Sequence, residues 1–192
     1  MNGSTRCVVV VAILCVVACG TGPEKAAPNV VDERPIQPEP VANLLDRPFT
    51  AEQIRDEWVE GFRLKIRHWT PESEFFEEWT VVIADDEGVE IETFVFDGEG
   101  AVASEPSTQR STWVQLRDHA SFPADRATRE AVTRGTSLGE LDGWLYTVGD
   151  PTGETVTEFF FAENLPGAPV TMYTTTNGEL VGIFEQIERT LP

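Results

Sequence analysis

Residues 79–95, WTVVIADDEGVEIETFV, contain two runs of alternating apolar residues separated by an acidic turn. Trp79, Val81 and Ile83 occupy every second position of the first run, and the same spacing resumes after Asp85–Gly88. A period of two predicts strands with one buried face, and a short loop that contains glycine predicts a hairpin between them. The stretch therefore predicts two neighbouring antiparallel strands.

Comparable patterns extend in both directions from this hairpin. In residues 62–67, FRLKIR, apolar and basic side chains alternate and predict a further half-buried strand. The turn at 97–100 leads into a short predicted strand over 101–104. Later strand candidates span residues 127–134, 141–148, 155–162, 170–176 and 180–187. The pair Asn177-Gly178 is typical of a tight hairpin turn between the last two.

Two capping boxes predict short helices among the strands. Thr50 followed by Gln53 predicts a helix over 51–57, and Thr112 followed by Gln115 predicts a second. The three phenylalanines at 159–161 place rings on both faces of one strand, which predicts a central strand covered on both sides. These elements predict a mainly β (α+β) domain: a curved antiparallel sheet, or unclosed β-barrel, of about nine strands with two short helices.

The composition excludes one class of partner. The chain has 192 residues, 33 acidic and 14 basic, with a formal net charge of −19. Binding to phosphate backbones needs clustered lysine and arginine, and no basic tract is present, so nucleic acid is excluded as a partner. A hydrophobic content of 41% is sufficient for the core of one domain.

The first twenty residues predict export. Residues 7–18 form an apolar run of twelve residues behind Arg6. A membrane-spanning helix needs roughly 20 residues, whereas this run fits the apolar region of a secretory signal peptide. Residues 16–19, Val-Val-Ala-Cys, resemble the lipobox of bacterial lipoproteins, which implies cleavage before Cys19 and attachment of a diglyceride to its thiol. An ordinary signal peptide or a hydrophobic tail is the alternative.

The predicted layout has three parts. A signal peptide covers 1–18, a lipidated Cys19 with a proline-rich tether covers 19–45, and a β-rich globular domain covers 46–192. Proline removes backbone donors and favours an extended chain, so the sequence of residues 19–45 predicts a spacer or an unstructured tail. In a bacterium with two membranes, the lipobox resemblance further implies that Gly20 favours export to the outer membrane over retention in the inner membrane. We therefore expect an exported protein, lipid-anchored in the bacterial cell envelope.

Four stretches of the folded part resemble a family of uncharacterised bacterial lipoproteins. They are residues 48–55 (PFTAEQIR), 113–123 (WVQLRDHASFP), 140–146 (ELDGWLY) and 160–170 (FFAENLPGAPV). More distantly, the layout is similar to the LolA/LolB lipoprotein-carrier superfamily, in which a curved sheet forms an unclosed β-barrel around helices and can hold acyl chains. The resemblance implies this fold, and no functional residue of the carriers transfers to a position here.

The sequence nominates no catalytic residue. Residues 135–139, GTSLG, match the G-x-S-x-G pattern, but both His68 and His119 precede Ser137 and a strand is predicted after it. We therefore predict a loop between strands at this point. Two histidines without a convergent carboxylate favour no metal site, and no cofactor fingerprint is present. We expect a protein that is not an enzyme and has no cofactor and no metal.

One basic ladder interrupts the acidic domain. Arg63, Lys65 and Arg67 are predicted to pair across strands with glutamates such as Glu78, Glu90 or Glu92. The alternative is a docking stripe for an anionic partner.

The leading functional hypothesis is a non-enzymatic, lipid-anchored envelope protein whose curved sheet binds an apolar ligand or acyl chain. The candidate lining residues are Phe62, Leu64, Trp79, Trp144, Tyr146 and Phe160. The competing interpretation is that these side chains fill the core. The alternative function is a structural or protein-interaction module of the outer envelope with no ligand pocket. The expected partners are the membrane, through the lipid anchor, and an apolar ligand or an envelope protein.

Overall fold

The computed structural model describes residues 43–192. The predicted signal peptide, Cys19 and the tether as far as residue 42 lie outside the described residues. The helices are α1 (Ala51–Glu57) and α2 (Trp113–Asp118). The strands are β1 (Arg63–Thr70), β2 (Ser73–Ala84), β3 (Gly88–Asp97), β4 (Ser107–Thr112), β5 (Ala127–Thr136), β6 (Gly139–Gly149), β7 (Thr155–Ala162), β8 (Thr171–Thr176) and β9 (Glu179–Thr190).

The nine strands form one antiparallel sheet in the order β4-β3-β2-β1-β9-β8-β7-β6-β5. It consists of a first meander, β1–β4, and a second meander, β5–β9, joined where β1 pairs with β9. The edge strands β4 and β5 do not pair with each other, so the sheet stays open. The predicted fold, an unclosed antiparallel barrel of nine strands with two short helices, is confirmed.

The capping boxes form as the sequence predicts. In α1, Thr50 Oγ1 accepts a hydrogen bond from the Gln53 N–H at 3.2 Å, and Gln53 Oε1 accepts from the Thr50 N–H at 2.8 Å. Thr112 and Gln115 make the same reciprocal pair at the start of α2, at 3.1 and 2.8 Å. Each pair satisfies backbone donors that a helix start leaves free, which fixes where these short helices begin.

Both helices lie on one face of the sheet, where Ile54 of α1 and Trp113 of α2 join the same buried cluster. Residues 113–126, which include α2, connect one edge strand, β4, to the opposite edge strand, β5. Phe122 of this connection packs on Tyr146 and Phe159, with ring centroids 4.8 and 4.9 Å apart. The entering chain packs beside it, since Leu45 N–H donates to the Phe122 carbonyl at 3.0 Å. We call the face that carries both helices the inner face and the opposite one the outer face.

The core has two parts. The inner-face cluster is the larger and joins the helices to residues of both meanders, such as Leu64, Ile66 and Tyr146. The outer-face cluster consists of Phe160, Ala162 and Val170, with half-buried partners Val132, Leu138, Leu141, Leu145 and Leu165. Phe161 lies in the first cluster and Phe160 in the second, so the predicted cover on both faces of this strand is confirmed. The predicted interior position is confirmed as well, because β7 pairs with β6 on one side and with β8 on the other.

One predicted strand is wrong and one strand was not predicted. In residues 101–104 only Val102 forms an isolated bridge, to Phe96. The strand at this edge is instead β4, with the polar sequence STQRST. All of its residues except Ser111 are exposed, so neither face needs apolar side chains and no alternation marks it.

Two tight turns form as predicted. Asn177 and Gly178 connect β8 to β9 with φ of 52° and 82°, the left-handed conformation that this residue pair adopts readily. Ser137 and Leu138 form the turn between β5 and β6, where Thr136 lies opposite Gly139. The G-x-S-x-G sequence is therefore a hairpin turn between strands.

The basic ladder does not use the predicted partners. Arg67 forms ion pairs with Glu74 at 2.6 Å and Glu185 at 3.6 Å. Lys65 lies opposite Glu78 in the register, but its Nζ is 6.0 Å from the Phe76 ring centroid and no ion pair joins it to Glu78. Arg63 has no carboxylate partner within residues 43–192.

Candidate functional site

The structure places five of the six predicted lining residues on the inner face. Phe62, Leu64 and Tyr146 are buried in the inner-face cluster, and Trp79 and Trp144 are half-buried against it. Phe160 is fully buried in the outer-face cluster. The difference arises because Phe160 alternates with Phe159 and Phe161, which face inward.

The helices occupy the inner face beside these residues. The Trp58 ring lies 5.3 Å from Phe62 and 6.4 Å from Trp79, and Trp58 Nε1–H donates to the Pro166 carbonyl at 2.9 Å. Gly167 adopts φ of +121° against the same indole, where a Cβ would clash with the ring. Glycine at this position therefore allows the loop before β8 to close over Trp58.

An ion pair between Arg189 and the partly exposed Glu57 lies at this end of the inner face. Arg189 is 7% exposed, donates to Glu57 Oε1 and to the Pro166 carbonyl at 3.1 Å each, and lies 4.7 Å from the Phe62 ring centroid. Burial lowers the pKa of Arg189, and the hydrogen bond and charge of Glu57 oppose that shift. The contacts join α1, β1, β9 and the loop before β8 into one packed unit.

A buried tyrosine, Tyr146, lies on the inner face of the second meander. Tyr146 Oη–H donates to the Asp46 carbonyl at 2.6 Å and joins the chain before α1 to β6. Burial raises the pKa of Tyr146, and the nearby Arg129 charge partly opposes this. The inner face is thus filled by the protein's own side chains where the ligand-binding hypothesis placed a pocket.

A small open groove lies beyond this filled region. It has a volume of about 250 Å³ and an apolar floor formed by Phe122, Val148 and Phe159. Arg126 and Asp150 line both this groove and a neighbouring depression. Small-molecule sites usually enclose roughly 300–1,000 Å³, so the groove is small for a drug-sized ligand. None of the six predicted lining residues borders it.

A histidine and a glutamate meet on the inner face of the first meander. His68 stacks on Phe75 with centroids 4.5 Å apart, and its Nε2 lies 3.4 Å from Glu77 Oε2. The same carboxylate accepts a hydrogen bond from Trp79 Nε1–H at 2.9 Å. Burial would raise the pKa of Glu77, but the adjacent His68 imidazole and the hydrogen bond from Trp79 outweigh it, so this pKa is lowered. Within residues 43–192, no three histidine, cysteine, aspartate or glutamate side chains converge as metal ligands do.

One arginine on the edge strand β5 and another just before it have no ion-pair partner among the described residues. The Arg129 guanidinium lies 3.7 Å from the Trp144 ring centroid and 5.9 Å from that of Tyr146. Its Nε is buried without a hydrogen-bond partner, and no carboxylate of the described residues pairs with it. Arg126, just before β5, is exposed and likewise lacks a carboxylate partner among these residues. Sequence reasoning missed Arg129 because its stacking depends on the register that sets β5 beside β6.

No protein-family model matches the chain, and no curated protein matches it. Solved structures share its fold. MucB in the Pseudomonas aeruginosa MucA/MucB complex is 14% identical with a TM-score of 0.51, covering 72% of this chain and 54% of that one. A crystal structure of MucB gives 14% identity and a TM-score of 0.51, covering 71% of this chain and 55% of that one.

The likeness to MucB shows a shared fold. This chain spans about half the length of MucB. The architecture is consistent with the unclosed barrel that the resemblance to the LolA/LolB superfamily implied. In residues 43–192, neither helix has the length and apolar character needed to cross a membrane.

Proposed function

We propose that the protein is a non-enzymatic, lipid-anchored protein of the bacterial cell envelope that works by binding another protein. One observation carries this proposal: the inner face of the sheet is filled by α1, α2 and the chain segments on either side of them. The aromatic residues that an acyl chain would contact are packed against Trp58, Phe122 and Arg189 instead. The sheet then functions through its surface and edges.

The likeness to MucB supports a protein partner. MucB has been solved in complex with MucA, so a barrel of this kind is compatible with holding a second polypeptide. Because the present chain spans about half of MucB, binding of a protein by this chain is part of the proposal.

The lipid anchor rests on the residues around Cys19. Residues 46–192 contain 29 acidic and 11 basic side chains, and anionic headgroups repel such a domain. Attachment then depends on the acyl chains, since two or more chains are needed for stable anchoring.

Mass spectrometry of the protein from membranes tests the anchor. We expect an amino terminus at Cys19 that carries a diglyceride, and release of a Cys19→Ala variant into the soluble fraction. Cys15→Ala, a cysteine change inside the apolar run, is the matched control and should leave anchoring intact. An unmodified Cys19 or an intact leader would contradict the proposal.

The absence of enzymatic activity is also proposed. Ser137, the serine of the G-x-S-x-G sequence, lies in a hairpin turn, and its Oγ–H donates to Glu185 Oε1 at 2.7 Å. A carboxylate in this position holds the hydroxyl on the sheet surface. Ser137→Ala should leave binding of the partner protein, measured by native mass spectrometry, and the free energy of unfolding unchanged.

Native mass spectrometry of the full chain, released in mild detergent, tests protein binding. We expect a defined complex with a second protein and no lipid beyond the anchor. A co-purifying fatty acid or phospholipid at one equivalent would favour the second candidate, an acyl-chain carrier.

The carrier candidate rests on the apolar floor of the open groove. Thr157→Phe would fill the groove beside Phe159 and should then displace such a lipid. Thr108→Phe, on the exposed strand β4, is the matched control.

A further inference from the structure

We infer that the free edge of β5 binds an extended acidic segment of a partner protein, which adds to the sheet beside β5 and places a carboxylate on Arg129. The inference rests on the proposed protein-binding function and gives it a location and a chemistry.

The backbone of β5 provides the first part of this site. Gly149 N–H donates to the Arg126 carbonyl at 3.0 Å, which fixes the hydrogen-bonding phase between the two strands. In an antiparallel pair, residues bonded to the neighbour alternate with residues whose backbone groups point away from it. The N–H and C=O groups that face outward therefore belong to Ala127, Arg129, Ala131, Thr133 and Gly135. An added strand can pair with these groups.

The features that usually block a sheet edge are few on β5. Edge strands are protected by short length, proline, bulges, charged side chains or a covering element, and of these β5 has only charged side chains, namely Arg129, Glu130 and Arg134. Across its ten residues, β5 has no proline, and its register with β6 is unbroken from Ala127 to Thr136. The other neighbour position is empty among the described residues.

Arg129 determines the charge of the segment that fits. Its guanidinium is held against Trp144, and stacking of this kind preorganises a cation for a planar carboxylate. The domain has 29 acidic side chains, yet none within residues 46–192 pairs with Arg129. Side chains directly opposite on paired strands lie about 4.5–5.5 Å apart at Cβ, so an acidic residue opposite Arg129 can reach it.

The opposite edge strand, β4, does not combine a long free edge with an unpaired cation. Strand β4 has six residues, and its one cation, Arg110, is already paired with Asp85 at 2.6 Å. A second copy of the chain is the alternative occupant, and the crosslinking experiment below distinguishes it from another protein.

Fluorescence polarisation with the full chain in detergent tests the site. The probe is a blocked, labelled decapeptide of alternating glutamate and threonine, and its lysine–threonine counterpart is the charge control. We expect the glutamate peptide alone to bind. Arg129→Glu should weaken it at least about tenfold, because attraction becomes repulsion between the paired strands.

Arg63→Glu is the matched variant, since Arg63 is an exposed cation without a carboxylate partner on β1, which has a neighbour on both sides. It should change affinity less than about twofold. Equal losses from Arg129→Glu and Arg63→Glu would overturn the proposal, as would tighter binding of the lysine peptide or no binding to the unmodified chain at millimolar concentration.

A backbone variant tests strand addition separately. Ala131→Pro removes one outward N–H and leaves the hydrogen bonds to β6 intact, so we expect a loss similar to that of Arg129→Glu. Ala131→Thr keeps the donor and should bind normally. Unchanged binding by Ala131→Pro would overturn strand addition, and if this variant unfolds, the pair Arg129→Glu and Arg63→Glu decides.

Photo-crosslinking in cells separates the failure of this site from the failure of the proposed function. A benzophenone amino acid at Thr133 reports on the β5 edge, and one at Thr108 reports on β4. An adduct with another protein at Thr133 alone supports the inference. An adduct only at Thr108 keeps the protein-binding function and overturns the β5 site, as does an adduct of two copies of this chain at Thr133. No protein adduct at either position counts against both.

Discussion

The two meanders of the sheet differ in how many faces they bury. In the second meander, Phe160 and Phe161 point in opposite directions and both are buried, because the loop before β8 and the β5–β6 hairpin cover the outer face. In the first meander, the outer face carries the half-exposed Phe76 beside the pair formed by Arg67 and Glu74. The same strand alternation therefore produces a two-sided core in one half and a one-sided core in the other.

The largest expected effect comes from removing a ring on the outer face of each half. Phe160→Ala should lower the free energy of unfolding by roughly 3–5 kcal/mol, since it leaves a cavity in a fully buried cluster. Phe76→Ala should cost about 1 kcal/mol, because that ring is already in contact with water. Urea unfolding of both variants measures the difference. Equal losses would show that the outer face of the first meander is as well packed as the second.

Substitution of one glycine in each half tests how closely neighbouring strands pack against each other. A Cβ at Gly143 would meet the Phe161 carbonyl and lie 2.8 Å from the Ala162 Cα, while one at Gly88 would meet the Ser111 carbonyl. Gly143→Ala should cost near the upper end of the roughly 1–3 kcal/mol typical of overpacking, because β7 has neighbours on both sides. Gly88→Ala should cost less, because the edge strand β4 can shift.

Gly135→Ala is the control for both glycine variants. Its Cβ would meet no atom within 4 Å, so the free energy of unfolding should change by less than about 0.5 kcal/mol. Thermal or urea unfolding of the three variants measures the order. A larger loss from Gly88→Ala than from Gly143→Ala would reverse the comparison.

Alkaline pH should weaken the second meander through Tyr146. Its pKa is raised in the folded protein, so the contribution is fully present below the ordinary value of 10.0 and is lost as the pH rises through the folded pKa. Tyr146→Phe should cost about 1 kcal/mol at neutral pH through the lost hydrogen bond to Asp46, and should flatten the alkaline decline. Unfolding curves between pH 7 and 11 measure both effects, and an unchanged alkaline slope in the variant would contradict the assignment.

Acid pH should weaken the first meander through Glu77, with the smallest effect of the series. The pKa of Glu77 is lowered in the folded protein, so its contribution is present above the ordinary value of 4.5 and is lost as the pH falls through the folded pKa. Glu77→Gln should therefore be less stable than the unmodified protein at pH 6, with the gap closing in acid. A gap that stays constant down to pH 3 would rule out this role of the carboxylate.

Most strands could be predicted because apolar and polar residues alternate along a strand that buries one face. β7 and α1 match the predicted ranges to the residue, and the Asn177-Gly178 turn lies where the sequence places it. β4 was missed because a strand exposed on both faces needs no apolar residue. An alternation of period two identifies which residues of one strand share a face. It does not say which of the two faces turns toward the helices. For that reason the sequence analysis grouped Phe160 with the inner-face residues, whereas it lies on the outer face.

The candidate site was less accessible to sequence reasoning than the fold. The backbone phase of β5 and the stacking of Arg129 on Trp144 both depend on the register with β6, and the sequence predicts a loop at residues 135–139 without giving the turn length that sets this register. The filled inner face has a similar origin, since Phe122 reaches it only because its segment connects opposite edges of the sheet. The lipobox and its Cys19 remain a prediction from the sequence.

The pairing of β1 with β9 has a consequence for how the protein reaches its folded state. The ladder joins residues 63–69 to residues 183–190, so it closes a loop of more than a hundred residues in the middle of the sheet. A nascent chain that lacks its last dozen residues has two separate half-sheets and two additional exposed edges, and long-range closures of this kind are slow. We therefore expect the final ladder to be the late step of folding, during which the incomplete chain depends most on chaperones.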